Sequence, residues 1–167
     1  MKQKTRKLAV AGLLTALAMI LSYIEFLIPF SALGIPGLKL GLANAVTLFL
    51  LYEYKPPVAF AVSMVRILLS SLLFGIAMLP YSLAGGIFSF FVMLLLKRTR
   101  LSIVGVSMAG GIAHNIGQLL TAALIVENLR IFYYLPILLP IGAIMGCGIG
   151  IVAKTVRKYH PQRKESP

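Results

Sequence analysis

The segment LAVAGLLTALAMILSYIEFLIPF, residues 8–30, is long and apolar enough to cross a membrane as a helix. A bilayer-spanning helix needs about 20 mainly apolar residues. Basic residues precede the segment, as in a signal peptide. However, the segment is longer than the apolar part of such a peptide, and no small-residue cleavage site stands out. We therefore predict a retained transmembrane helix.

Further apolar segments occupy most of the remaining chain. The 167 residues are 59% hydrophobic and 12% charged, whereas soluble domains are about 25% charged. We predict one all-α integral membrane domain over residues 1–167, a bundle of six transmembrane helices. The second span is the shortest, and it either begins within 31–39 or crosses at an angle. The predicted spans are 8–30, 40–54, 57–74, 76–96, 102–125 and 132–153, followed by a basic tail at 154–167.

The basic residues predict the orientation of the bundle. Of the 16 Lys and Arg residues, only Lys39 and Arg130 fall in loops on the predicted external side, and Arg66 falls within the third span. This asymmetry predicts that both termini are cytoplasmic. It also assigns the net charge of +12 to membrane topology rather than to nucleic-acid binding. The remaining basic residues lie inside: Lys2, Lys4, Arg6, Lys7, Lys55, Lys97, Arg98, Arg100, Lys154, Arg157, Lys158, Arg163 and Lys164.

Ionisable and amide side chains within the spans are few, and such residues are costly in lipid and frequently functional. Arg66, near the middle of the third span, either clamps an anionic group of a substrate or forms a structural ion pair with Glu25. Glu25 either binds a cationic group or neutralises Arg66 or Lys39. Asn44, in the second span, suits both ligand binding and hydrogen bonding between helices.

The fifth span contains GGIAHNIGQLLTA (110–122), with three polar side chains within five residues. His114 and Gln118 are four residues apart and share one helix face, while Asn115 is rotated by about 100°. We predict that all three line a ligand site, the alternative being a hydrogen-bond network between helices. A polar cavity in the external half of the bundle, open outward, would then contain Glu25, Lys39, Asn44, Arg66, His114, Asn115 and Gln118.

The composition predicts neither a metal site nor a cofactor. The chain has one cysteine, Cys147, and no aspartate. The second histidine, His160, lies in the predicted cytoplasmic tail, far from His114. Four scattered glutamates do not form a magnesium site, and a lone histidine is a weak basis for zinc.

The runs PGLKLGLANAVTLFLLY (36–52) and GGIAHNIGQLLTAALI (110–125) resemble those of a bacterial membrane protein family. Its members are called heptaprenyl diphosphate synthase component I, or the Gx transporter family. They are similar to the substrate-binding S components of energy-coupling factor transporters. The resemblance covers nearly the whole chain and implies location in the bacterial cytoplasmic membrane.

The two family names imply different functions. An S component captures a small vitamin-like molecule and docks on a transmembrane coupling protein that is driven by two cytoplasmic ATPases. In S components, the docking face is an alanine-xxx-alanine pattern on the first helix, to which Ala9, Gly12 and Ala16 correspond loosely here. Prenyl chain elongation instead needs aspartate-rich metal sites, so the absence of aspartate argues against catalysis. The remaining alternatives are a non-catalytic component of heptaprenyl diphosphate or quinone synthesis, and a solitary permease.

Overall fold

A computed structural model describes residues 2–27 and 41–159 of the chain. Two short 3₁₀ turns, Ile76–Met78 and Leu129–Tyr134, lead into the fourth and sixth helices, and the described ranges contain no strand. The prediction of an all-α fold with six helices is therefore confirmed. The helices are α1 (Lys2–Leu27), α2 (Asn44–Glu53), α3 (Pro56–Phe74), α4 (Leu79–Leu96), α5 (Ile103–Val126) and α6 (Leu135–Tyr159).

Five of the helical segments are long and apolar enough to cross a membrane, so the chain is a multi-pass membrane protein. Prolines lie at the first turns of α3 and α4, where a missing N–H costs no helical hydrogen bond. The crossing segments are Leu8–Leu27, Pro56–Phe74, Ile76–Leu96, Ile103–Val126 and Leu129–Lys158.

The second predicted span, 40–54, was expected to be the shortest, and the structure gives a still shorter helix within it. α2 has ten residues and is about 15 Å long, half the hydrocarbon thickness of a bilayer, about 30 Å. Gly41 has a left-handed φ of 76°, which interrupts helical geometry although the apolar run continues through it. The prediction of six spans is therefore confirmed for five helices, and α2 alone is too short to be a sixth.

The other boundaries differ at the basic ends. α6 continues to Tyr159, so the first part of the predicted tail at 154–167 is helical. Arg157 and Lys158 lie in its last turn, where positive side chains interact favourably with the helix dipole. Lys39 and the rest of the tail lie outside the described residues.

Aromatic contacts show that α1 and α3 run in the same direction. The ring centroids of Tyr23 and Phe26, near the end of α1, lie 5.5 and 5.3 Å from that of Phe74, the last residue of α3. α3 begins three residues after α2 ends. The first turn of α1 and the last turn of α2 therefore lie at the same end of the bundle.

Charged contacts show that α2, α4 and α6 finish together at this end. Arg157 Nε donates to Glu53 Oε1 over 2.8 Å. Lys97 Nζ donates to the carbonyl of Leu51. These residues lie at the ends of three helices that run in the same direction. Because Lys97 and Arg157 lie there, we call this region the basic end of the bundle. Both ends of the described chain lie there.

The tightest packing joins α5 to its two neighbours. A β-carbon at Gly111 would clash with the carbonyl of Gly142 on α6, and one at Gly146 would reach 2.7 Å from the α-carbon of Met108. Gly150 lies equally close to Val104. The ridge of small residues at four-residue spacing on α6 thus brings two backbones together, as is common between membrane helices.

Substitution at the α5–α6 contact tests this packing. Gly111→Ala should lower the free energy of unfolding by about 1–3 kcal/mol, because the added methyl group forces the helices apart. Gly148→Ala is the matched control, because open space surrounds Gly148 in the same helical environment. The control should be neutral or slightly stabilising. Denaturant unfolding in detergent micelles would measure both, and equal stabilities would contradict the backbone contact.

Candidate functional site

The polar residues predicted from the sequence lie in the interior of the bundle. Those within the described ranges are all at least nine-tenths buried. Burial keeps their polar atoms away from lipid, where unsatisfied groups are costly. These residues are Glu25, Asn44, Arg66, His114, Asn115 and Gln118.

A small cavity lies halfway along the long helices, at the start of α2. Asn44 and His114 line it, together with Ser89 on α4 and Ser107 on α5. The lining is completed by four glycines and two apolar side chains, namely Gly41, Gly110, Gly111, Gly146, Met93 and Ile149. The cavity has room for about one water molecule. Of the predicted site residues, Asn44 and His114 are thus brought together around a small, mainly apolar cavity.

His114 and Gln118 face α4, as their four-residue spacing predicts. A β-carbon at Gly85 would lie 2.9 Å from atoms of both side chains. A larger residue at this position on α4 would therefore displace them. Gln118 Nε2 has no hydrogen-bond partner among the described residues.

Asn115 faces α6 instead. Its Nδ2 donates to the carbonyl of Leu138 over 2.8 Å. This is an interhelical hydrogen bond of the kind that the sequence offered as the alternative to ligand contact. The rotation of Asn115 away from His114 places the two side chains in different interfaces.

Arg66 lies between α3 and α1, apart from the cavity. Its Nη1 donates to Ser22 Oγ over 3.3 Å. Its Nε and Nη2 have no hydrogen-bond partner among the described residues. Glu25 is near enough to interact with Arg66 electrostatically. A buried guanidinium thus has one anchored nitrogen and two open ones.

Glu25 has a structural role that the sequence did not indicate. Its Oε1 accepts hydrogen bonds from the backbone N–H groups of Gly41 and Leu42, the second at 3.1 Å. These groups belong to the turn that begins α2, where the helix dipole favours a negative charge. Glu25 therefore ties α1 to the buried start of α2.

Several buried serines were missed by the sequence analysis. Ser22 contacts Arg66, and Ser89 and Ser107 line the cavity. Their spacing carried a signal, because Ser107 precedes His114 by two helical turns and Ser63 precedes Arg66 by one. Serine is common in apolar helices, and this spacing alone does not separate packing from function.

A second polar cluster lies at the basic end. The ring of Tyr52 has Lys97 Nζ and the Arg157 guanidinium carbon 5.2 and 5.3 Å from its centroid. Burial lowers the pKa of Lys97, nearby Arg157 lowers it further, and Glu53 opposes the shift. These contacts hold the end of α2 against α4 and α6, so α2 is fixed by charged groups at both ends.

The predicted docking residues lie on the surface of α1. Ala9, Gly12 and Ala16 are all exposed. Leu13 and Leu17 beside them are also exposed. No group of three or more His, Cys, Asp or Glu side chains within residues 2–27 and 41–159 could hold a metal ion.

The family of the chain follows from comparison with known proteins. A family model described as heptaprenyl diphosphate synthase component I matches residues 14–156. The chain belongs to this family. The match extends from within α1 to the last turn of α6 and includes every described residue of the polar interior. Neither the curated proteins nor the solved structures contain a match to this chain.

Replacing Glu25 tests its role in this component I family member. Glu25→Ala should lower the free energy of unfolding by about 1.5–3 kcal/mol, because it removes a charged acceptor from the backbone N–H groups of Gly41 and Leu42. Glu25→Gln retains an acceptor oxygen and should cost less. Glu127→Gln changes an exposed glutamate and serves as the control. An alanine variant as stable as the wild type in denaturant unfolding would contradict the proposed tie.

Proposed function

We propose that this protein is the substrate-binding membrane subunit of an ATP-driven uptake system of the energy-coupling factor type. Its substrate would be a small vitamin-like or isoprenoid-related molecule. The observation that carries the proposal is the buried polar interior at mid-depth, formed by Asn44, Arg66, His114 and Gln118. Membrane helices that only pack together need few such groups, whereas a binding subunit needs polar atoms to orient its substrate.

The small volume of the cavity defines what binding would require. The space beside Asn44 and His114 admits about one water molecule, so a substrate would enter only when neighbouring helices separate. α1 is the least enclosed of the crossing helices and packs mainly against α2 and α3. Displacement of α1 would expose Arg66 and the start of α2 with the least loss of contact.

The partners in this proposal are a transmembrane coupling protein and two cytoplasmic ATPases. The chain has no phosphate-binding loop of the Walker type, so ATP hydrolysis would take place in those partners. The exposed small residues Ala9, Gly12 and Ala16 would let a partner helix approach α1 closely. The chain itself would not be an enzyme.

The family description favours a second candidate function. Component I of heptaprenyl diphosphate synthase would be a non-catalytic membrane partner of a soluble prenyl synthase. Gentle purification followed by native mass spectrometry separates the candidates. Recovery of a coupling protein with Walker-motif ATPases supports the uptake proposal. Recovery of a prenyl synthase in their place supports the second candidate, and substrate uptake by the purified chain alone in vesicles would indicate a solitary permease.

A substitution on α1 tests the docking surface. Gly12→Leu should reduce partner recovery at least about ten-fold, equivalent to about 1.4 kcal/mol, because it fills the close approach between helices. Gly148→Leu is the matched control, since both glycines are helical, exposed and surrounded by open space. Equal partner recovery by the two variants would show that this face of α1 is not the docking surface.

The proposed orientation places the basic end in the cytoplasm of a bacterial cell. In a Cys147→Ser background, a cysteine replacing exposed Leu129 should react with a membrane-impermeant reagent added to whole cells. A cysteine replacing exposed Arg100 should react only after permeabilisation. The reverse labelling pattern would show that the proposed orientation is wrong and that the basic end lies outside the cell.

A further inference from the structure

Arg66 presents an unused binding edge inside the bundle. It lies near the middle of α3 and is only 7% exposed. Nη1 is anchored to Ser22, whereas Nε and Nη2 have no hydrogen-bond partner among the described residues. Nε and Nη2 share one edge of the planar guanidinium. This edge forms two parallel hydrogen bonds with the oxygens of a carboxylate or phosphate group.

Glu25 leaves this edge open. The carboxylate interacts electrostatically with Arg66, which offsets part of the cost of burying a positive charge. Its Oε1 oxygen, however, accepts hydrogen bonds from the backbone of Gly41 and Leu42. Glu25 therefore acts as a nearby countercharge, while the two open nitrogens of Arg66 still need acceptors. A buried charged donor that lacks an acceptor is destabilising.

A second open donor lies one helical turn away. The Ser63 hydroxyl is almost completely buried and has no hydrogen-bond partner among the described residues. Residues three apart lie on neighbouring positions of one helix face. Ser63 and the open edge of Arg66 can therefore serve the same group. A two-oxygen anion would give each guanidinium nitrogen its own charged acceptor in two parallel hydrogen bonds, a geometry that a single hydroxyl or amide oxygen does not offer.

We propose that the molecule bound by this protein carries a carboxylate or phosphate group, held by the Nε–Nη2 edge of Arg66 with the Ser63 hydroxyl beside it. This inference rests on the proposed function and specifies the chemical class of the substrate. The group can belong to a soluble molecule or to a lipid headgroup, because both present the same oxygens. Ser22 and Glu25 both lie on α1, so displacement of this helix would give access to the edge.

The test uses the full chain in micelles of dodecyl maltoside, a detergent that carries neither phosphate nor carboxylate. Inorganic phosphate and acetate are titrated at constant ionic strength against chloride, and binding is followed by the midpoint of thermal unfolding. Phosphate or acetate should raise the midpoint of the wild type saturably, and chloride should not. Arg66→Lys should weaken this binding at least about ten-fold, because lysine keeps the charge and loses the two-pronged geometry. Arg157→Lys, at the basic end, should leave it unchanged.

Further arms identify the source of the anion and guard against misfolding. Ser63→Ala should weaken anion binding a few-fold without any change in charge. This variant replaces Arg66→Lys in the test if Arg66→Lys does not fold. Phosphatidylglycerol added to the micelles tests a lipid source. Stabilisation by that lipid alone, lost in Arg66→Lys or reduced in Ser63→Ala, would support the inference with a lipid headgroup as the ligand. The inference would be overturned if neither the soluble anions nor phosphatidylglycerol raised the unfolding midpoint in a way that depends on Arg66 or Ser63.

The outcome is independent of the partner test. If ATPase partners co-purify with the wild type while no Arg66-dependent anion binding occurs, the uptake proposal stands and the anion inference fails. If anions bind through Arg66 while a prenyl synthase is recovered, the uptake proposal fails and the anionic site remains.

Discussion

The polar interior depends on how the first turn of α2 is held inside the bundle. α2 begins halfway along its neighbours, and the backbone N–H groups of Gly41 and Leu42, in the turn before it, lie inside the bundle. In lipid, such groups must be satisfied by protein. The carboxylate of Glu25 accepts from Gly41 and Leu42, and this places Asn44 against α4 and α5. At the other end, Arg157 and Lys97 hold the end of α2.

The remaining helices differ in how tightly they pack around this polar interior. α5 has the most polar interior face and packs tightly on both neighbours, where glycines bring the backbones close. This rigid unit carries His114, Asn115 and Gln118. α1 packs mainly against α2 and α3 and leaves large apolar side chains such as Leu13 and Ile20 exposed. The bundle thus combines a fixed half with a helix that has fewer contacts to lose.

Much of the fold was predictable because lipid imposes strong rules on length and composition. Hydropathy located the five crossing helices, and four-residue spacing placed His114 and Gln118 on one face. That the second span is short was predicted, but the start of α2 was not, because the apolar run continues through Gly41, whose φ is left-handed. The tie between Glu25 and α2 was equally hidden, since it joins residues 16 apart through backbone groups. The roles of Ser22 and Ser63 could not be predicted either, because they depend on the position of Arg66 in the folded bundle.

α1 links the proposed docking surface to the proposed binding site. Its first half carries Ala9, Gly12 and Ala16, while its second half carries Ser22 and Glu25, which contact Arg66 and the start of α2. A helix moves largely as a unit, so a partner that shifts α1 would also disturb these interior contacts. By thermodynamic linkage, a ligand that favours one position of α1 must then change partner affinity by the same factor. Substrate binding and partner docking would therefore be coupled through α1 itself, without any rearrangement of the tightly packed helices α4–α6.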